Sequence, residues 1–292
     1  MDLFQECCGS VAYNNIRGIS SQRENRKVLA RMWSLYEPFA DRNFLSEFAR
    51  QTDQRFWEMY LAYWLLEAGK NLVVRMSAEG PDILIEENDQ RIWIEAISPT
   101  FGDVSNPNSV PDTVDACRQG IMAKTPKTQI ELRVTAAVKE KRDKFRGYLK
   151  NGIVSKTDVK LIAIGGSAAF QQVPDNRLPY AFSAVYPIEG LAFSVPSLDN
   201  PTSATIGVNC KHIPKVGGRS VPRSAFLSPE YSDVSGIIWS SDWIGRFSDK
   251  KQSFTYIPNS TASLSLPAKW AKWASEYMIS GEEGDLQVSR LV

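Results

Sequence analysis

Histidine is almost absent from this chain: of 292 residues, only His212 carries an imidazole. A single imidazole cannot build a multi-histidine metal centre, and it makes Ser-His-Asp chemistry an unpromising reading. Cysteine is scarce too. Cys7, Cys8, Cys117 and Cys210 show neither paired zinc spacing nor a dense disulfide pattern, and they read as reduced thiols. No stretch approaches the roughly 18–20 uninterrupted apolar positions of a membrane span. The opening "MDLFQECCGS" lacks the basic-then-apolar order of a secretory leader, so a cytoplasmic location is expected. Excess charge is also missing: 34 Lys and Arg face 33 Asp and Glu, a net +1. That balance names no partner, and any nucleic-acid surface must be a local patch. No Walker-type lysine loop, zinc-finger spacing or histidine-rich nuclease cluster occurs.

What is present is an ordinary core-forming composition, 43% hydrophobic and 23% charged, in a length that suits one α/β domain with additions. Residues 21–51 read as helical, with Val28, Met32, Leu35, Tyr36 and Phe39 recurring at helical spacing. "EPFADRNF" interrupts them, and Phe44, Leu45 and Phe48 begin a second short helix. From Asp53, "RFWEMYLAYWLLEAGKN" is a strong helix with Gly69 placed as its C-cap. Short β-rich runs follow: "NLVVRM", "DILIEE", a turn at "NDQ", and "RIWIEAIS". Residues 98–128 are polar, with periodicity only at "VDACRQGIMAK", and a long irregular segment there is more often functional than idle. The basic segment "QIELRVTAAVKEKRDKFRGYLK", 129–150, turns Ile130, Val134, Ala137, Val138 and Phe145 to a core. "VKLIAIGG" has the unbroken apolar run of a buried central strand. Beyond 170, "YAFSAVYP", "LAFSVP" and "VSGIIWSS" read as strands, and a closing helix is expected from about Pro267 to Met278.

Three acids lean inward. Glu58 shares a helical face with Leu61, Ala62 and Leu65. Asp82 opens one strand after Gly-Pro, and Glu95 sits in the next between Ile94 and Ala96. In a hairpin centred on "NDQ", Asp82 and Glu95 meet at the open end. Burying such carboxylates is costly without a cation. Three of them suit a hard divalent ion such as Mg²⁺, which lowers the pKa of bound water and stabilises charge on a phosphodiester.

An acid in a first helix, then Pro-Asp, then an acid on the following strand resembles the PD-(D/E)XK nuclease superfamily. Pro81-Asp82 matches its first element, Glu95 the acid of its second, and Glu58 its helical acid; the likeness runs over roughly 52–165. The resemblance implies an α/β fold with a mixed-sheet restriction-endonuclease-like core flanked by helices at 52–170. An N-terminal helical extension (1–51) would precede it, and a C-terminal β-rich extension (171–292) would complete the same domain. It further implies hydrolysis of nucleic acid, DNA or RNA, with Mg²⁺ or Mn²⁺ held by Glu58, Asp82 and Glu95. The family's motif lysine, however, falls on Ile97, which can neither orient nor activate water. Either another lysine has taken over or hydrolysis has been lost. Lys124, Lys127, Lys139, Lys141 and Lys144 are available, and Lys141 is preferred because it shares a stripe with Ala137 and Arg133 beside the core face. The expected catalytic set is therefore Asp82, Glu95 and Lys141, with Arg133, Lys139 and Lys144 contacting substrate and Tyr148 stacking on a base.

Each residue also has a plainer reading. Asp82 suits a strand start, Glu95 an ion pair with Arg133, Glu58 a pair with Arg55 or Lys70, and the basic run a solvated helix face. The function class paired against the nuclease is a non-catalytic nucleic-acid-binding or assembly subunit on the same core. A homodimer, or a partner role in a bacterial or phage defence complex, completes the expectations.

Overall fold

The computed structural model describes residues 2–75, 79–111, 125–170, 178–193, 205–250, 253–281 and 286–291. The protein is α/β, with a large mixed sheet flanked by helices. Its strands are β1 (Leu72–Val73), β2 (Ile83–Glu87), β3 (Gln90–Ile97), β4 (Val159–Gly166), β5 (Ile188–Phe193), β6 (Thr205–Asn209), β7 (His212–Ile213), β8 (Val221–Pro222), β9 (Gly236–Trp243), β10 (Thr255–Pro258), β11 (Ser275–Ser280) and β12 (Gln287–Leu291). Ten of them form one sheet in the order β1-β2-β3-β4-β9-β10-β11-β12-β6-β5, and β7 pairs separately with β8. Helices α1 (Val11–Gly18), α2 (Arg23–Tyr36), α3 (Phe44–Arg50) and α4 (Thr52–Glu67) precede the sheet. Helix α5 (Lys127–Lys150) crosses between β3 and β4, and α6 (Tyr180–Val185) follows β4.

The strands alternate as a two-sided sheet requires. Ile92, Ile94 and Ala96 join the core beneath α1–α4, whereas Trp93 packs with Ile130, Val134, Ala137 and Phe145 of α5. Strand β4 is buried along its whole length because parallel neighbours, β3 and β9, flank it. The hairpin joining β2 to β3 turns on Asn88 (φ 52°) and Asp89 (φ 60°), the two left-handed residues of a type I′ connection. At the far end of β4, Gly166 has φ +69° and a Cβ there would strike the Cβ of Trp57. Without that side chain α4 lies close on the sheet, and Trp57 Nε1 donates to the Ala163 carbonyl at 3.1 Å.

Several sequence expectations are corrected. Leu35 is 40% exposed; α2 buries Leu29, Met32, Trp33 and Tyr36 instead. "YAFSAVYP" is not a strand but the short helix α6, buried on every side, and all-round burial erases the periodicity that separates the two. The expected helix at 267–278 is replaced by turns leading into β11. The Glu276 carboxylate accepts from the backbone N–H groups of Lys269 (2.8 Å) and Ala271 (3.2 Å), tying that turn. The pattern at "VDACRQGIMAK" lies wholly outside the described residues, Cys117 and Lys124 with it. Among the described residues, no helix is long and apolar enough to cross a membrane.

Candidate active site

The β2–β3 register pairs Ile83 with Ile94, so the next cross-strand position sets Asp82 opposite Glu95, on the face covered by α5. Side chains so placed lie about 5 Å apart at their Cβ atoms. Asp82 Oδ2 accepts from the Ala96 N–H at 2.7 Å. Burial, then the neighbouring Glu95 and Glu58 carboxylates, push the Asp82 carboxyl up to about 7, against the pull of Lys141 and the Ala96 N–H.

Glu95 is 1% exposed. Its Oε2 accepts from Lys141 Nζ at 2.6 Å and its Oε1 from the Tyr148 hydroxyl at 2.7 Å. Lys141 and Tyr148 are seven residues apart, two helical turns, and so rise from one stripe of α5. Burial works to lower the Lys141 pKa, but the Glu95 and Asp82 carboxylates outweigh it and hold the ammonium charged. Lys144 Nζ adds a second cation 3.7 Å from Glu95 Oε2. Ile97, two residues beyond Glu95 on the same face of β3, is half-buried and packs toward α5. An ammonium from α5 thus reaches the strand acid that Ile97 cannot serve.

Glu58 approaches from the opposite face of the sheet, on α4, fully buried. Tyr36 donates to its Oε1 at 2.5 Å and Arg55 to its Oε2 at 2.7 Å. Burial raises the Glu58 pKa beyond what Arg55 and Tyr36 restore. Arg55 is itself gripped by Asp41 and Glu47. The pairing with Arg55 is therefore real, while Lys70 pairs with Glu87. With both Glu58 oxygens engaged, the expected three-carboxylate ligand set is not assembled. Among the described residues, no three His, Cys, Asp or Glu side chains converge as a metal site. Both Glu95 oxygens are likewise engaged, by Lys141 and Tyr148. Burial first, then the Glu95 and Glu58 carboxylates, push the Asp82 carboxyl up to about 7; that marks a place short of positive charge, where carboxylate oxygens suit a hard cation that keeps most of its waters.

The expected substrate contacts divide. Lys144 stands at the acid pair. Arg133 does not meet Glu95; it donates to the Thr100 carbonyl at 3.0 Å and to Thr100 Oγ1 at 3.3 Å. Lys139 is exposed and lies about 160° around α5 from Lys141, taking about 100° per residue. Tyr148 holds Glu95 through its hydroxyl rather than standing free to stack.

Three participants were not legible in advance. Gln54 donates to the Ala96 carbonyl at 3.3 Å and accepts from the Ser98 N–H at 2.7 Å, clipping the end of β3. Its spacing of four from Glu58 was the available signal. Arg75 donates to the Pro81 carbonyl at 3.1 Å and lies near enough to Glu58 and Tyr148 to act on both electrostatically. As a lone charge after "NLVV" it had no distinguishing pattern. The hydroxyl of Tyr148 was the third.

No protein-family model, curated protein or solved structure matches the chain at a significant level.

Proposed function

We propose that this protein is a metal-dependent nuclease that hydrolyses phosphodiesters of DNA or RNA on a restriction-endonuclease-like core. The reading is supported above all by Lys141 Nζ standing 2.6 Å from Glu95 Oε2, beside Asp82 on the paired strand. A Mg²⁺ or Mn²⁺ ion held by Asp82 and Glu95 would supply a bound water of lowered pKa and neutralise charge on the phosphate. Lys141, kept charged by the two acids, orients the attacking water. Tyr148 fixes the Glu95 carboxylate, and Gln54 fixes the strand end that carries it. Arg75, bound to the Pro81 carbonyl, and Lys144, beside Glu95, would hold phosphate oxygens. Glu58 contributes negative potential from behind Asp82.

The test is cleavage of mixed DNA and RNA substrates with Mg²⁺, Mn²⁺ or EDTA. Cutting by the wild type that requires metal, and that falls about a hundredfold or more in both Glu95→Ala and Lys141→Ala, supports the proposal. A second reading is favoured by one observation: both Glu95 oxygens are already taken, by Lys141 and Tyr148. On that reading the chain is a nucleic-acid-binding or assembly subunit without hydrolysis, in a homodimer or a defence complex. Binding without cutting under either metal would select it and sink the nuclease.

A further inference from the structure

Lys139 belongs to a second feature of α5, on the flank turned away from the acid pair. A cleft of about 450 Å³ runs between Leu132, Ala136 and Lys139 of α5 and Lys215, Val221 and Pro222 of the β7–β8 segment. The helical residues recur at spacings of three and four, so they form one stripe, roughly opposite the stripe of Val134, Ala137, Lys141 and Tyr148.

Two arginine clamps tie α5 to the chain that lines the cleft. Arg223, itself buried and next to Pro222, donates to both Glu131 oxygens at 2.7 and 3.2 Å. Within the lining, Arg142 donates to Glu230 at 2.7 Å and stacks 4.4 Å over the Tyr231 ring. The clamps lie eleven residues apart on the helix, about 16 Å at its usual rise. Their charges are answered within the protein. Those of Lys139 and Lys215 are not: both are exposed, and among the described residues neither forms an ion pair. Two free ammonium groups over an apolar floor suit an anion with a flat apolar body, and the volume falls within the range of small-molecule sites.

We propose that this cleft binds a nucleoside monophosphate. Lys139 and Lys215 take its phosphate, and its base lies on Leu132, Val221 and Pro222. The site stands independently of the nuclease reading, since it shares no residue with the acid pair.

Calorimetric titration of AMP into the full chain tests it, with inorganic phosphate and adenosine titrated beside it. Expected is saturable AMP binding that weakens about tenfold or more in the double variant Lys139→Ala/Lys215→Ala, from the loss of two charge-assisted contacts. Ala136→Trp, which fills the cleft without altering its charge, should abolish binding, and added EDTA, which empties any metal at the acid pair, should leave it unchanged. No saturable binding overturns the proposal, as does binding that survives both cleft variants or is lost on adding EDTA. Phosphate alone binding as tightly as AMP would overturn the nucleotide class, because the apolar floor would then contribute nothing.

Discussion

At the scale of the residue, Asp82 carries the most informative charge. Its carboxyl titrates near 7 in the fold against an ordinary value of 3.8, so the folded state binds that proton more tightly than the unfolded chain does. Stability from this source is complete at pH below 3.8 and is lost as pH rises through about 7, the reverse of a salt-bridged aspartate. The metal-free protein should therefore melt at a lower temperature at pH 8 than at pH 5.5. Asp82→Asn should flatten that slope, and added Mg²⁺ should raise the melting point at pH 8 more than at pH 5.5. Thermal melts across that window with and without EDTA check all three. The Lys141–Glu95 pair behaves differently. Lys141→Met strands a buried carboxylate beside Tyr148 and should cost about 3–5 kcal/mol by chemical denaturation. Lys141→Met/Glu95→Gln removes both charges and should recover part of that loss. These acids were legible in the sequence because carboxylates inside apolar runs demand a partner, and Lys141 was legible from its stripe. Arg133 was not. Its long side chain reaches Thr100, a choice made by a loop whose path no periodicity encodes.

At the scale of the element, what places Glu58 behind Asp82 is the close approach of α4 to β4. Gly166 permits that approach twice over, by its left-handed backbone (φ +69°) and by lacking a Cβ against Trp57. Gly166→Ala should destabilise by about 2–4 kcal/mol, combining backbone strain with overpacking. Gly217→Ala provides the contrast: φ is +67° there, but nothing lies near the added Cβ, so only about 1–2 kcal/mol is expected. Chemical denaturation of the two variants separates packing from backbone strain. Elements with two-sided patterning were readable in advance: α4, the β2–β3 hairpin, α5 and β4 all stand where periodicity and turn chemistry set them. The failures share a cause. Tyr180–Val185 is buried all round and so shows no face. The 267–278 segment looks helical only until Glu276 is seen capping its turn through space.

At the scale of the molecule, the sheet does not stop where the site stops. Strand β4 hands its parallel edge to β9, with Leu161 opposite Gly236 and Ile164 opposite Trp239, so residues beyond 170 cover what the site-bearing half exposes. A fragment ending at 170 would present a fully buried strand, apolar but for Lys160, as an open edge, a configuration prone to self-association. It should be recovered as aggregate, or should lack near-ultraviolet circular dichroism and cooperative melting, whereas the full chain melts cooperatively. Size-exclusion chromatography and circular dichroism decide this. The two-residue hairpin turn at Asn88-Asp89 carries a consequence for descent. Faces alternate along a strand with a period of two. Slipping β2 against β3 by one residue would turn Asp82 away from Glu95 and toward the α1–α4 core, while a slip of two would restore its face. Kindred chains that keep this chemistry should therefore vary in the turn while keeping Asp82 and Glu95 in step, a constraint to be read from genomes rather than from crystals.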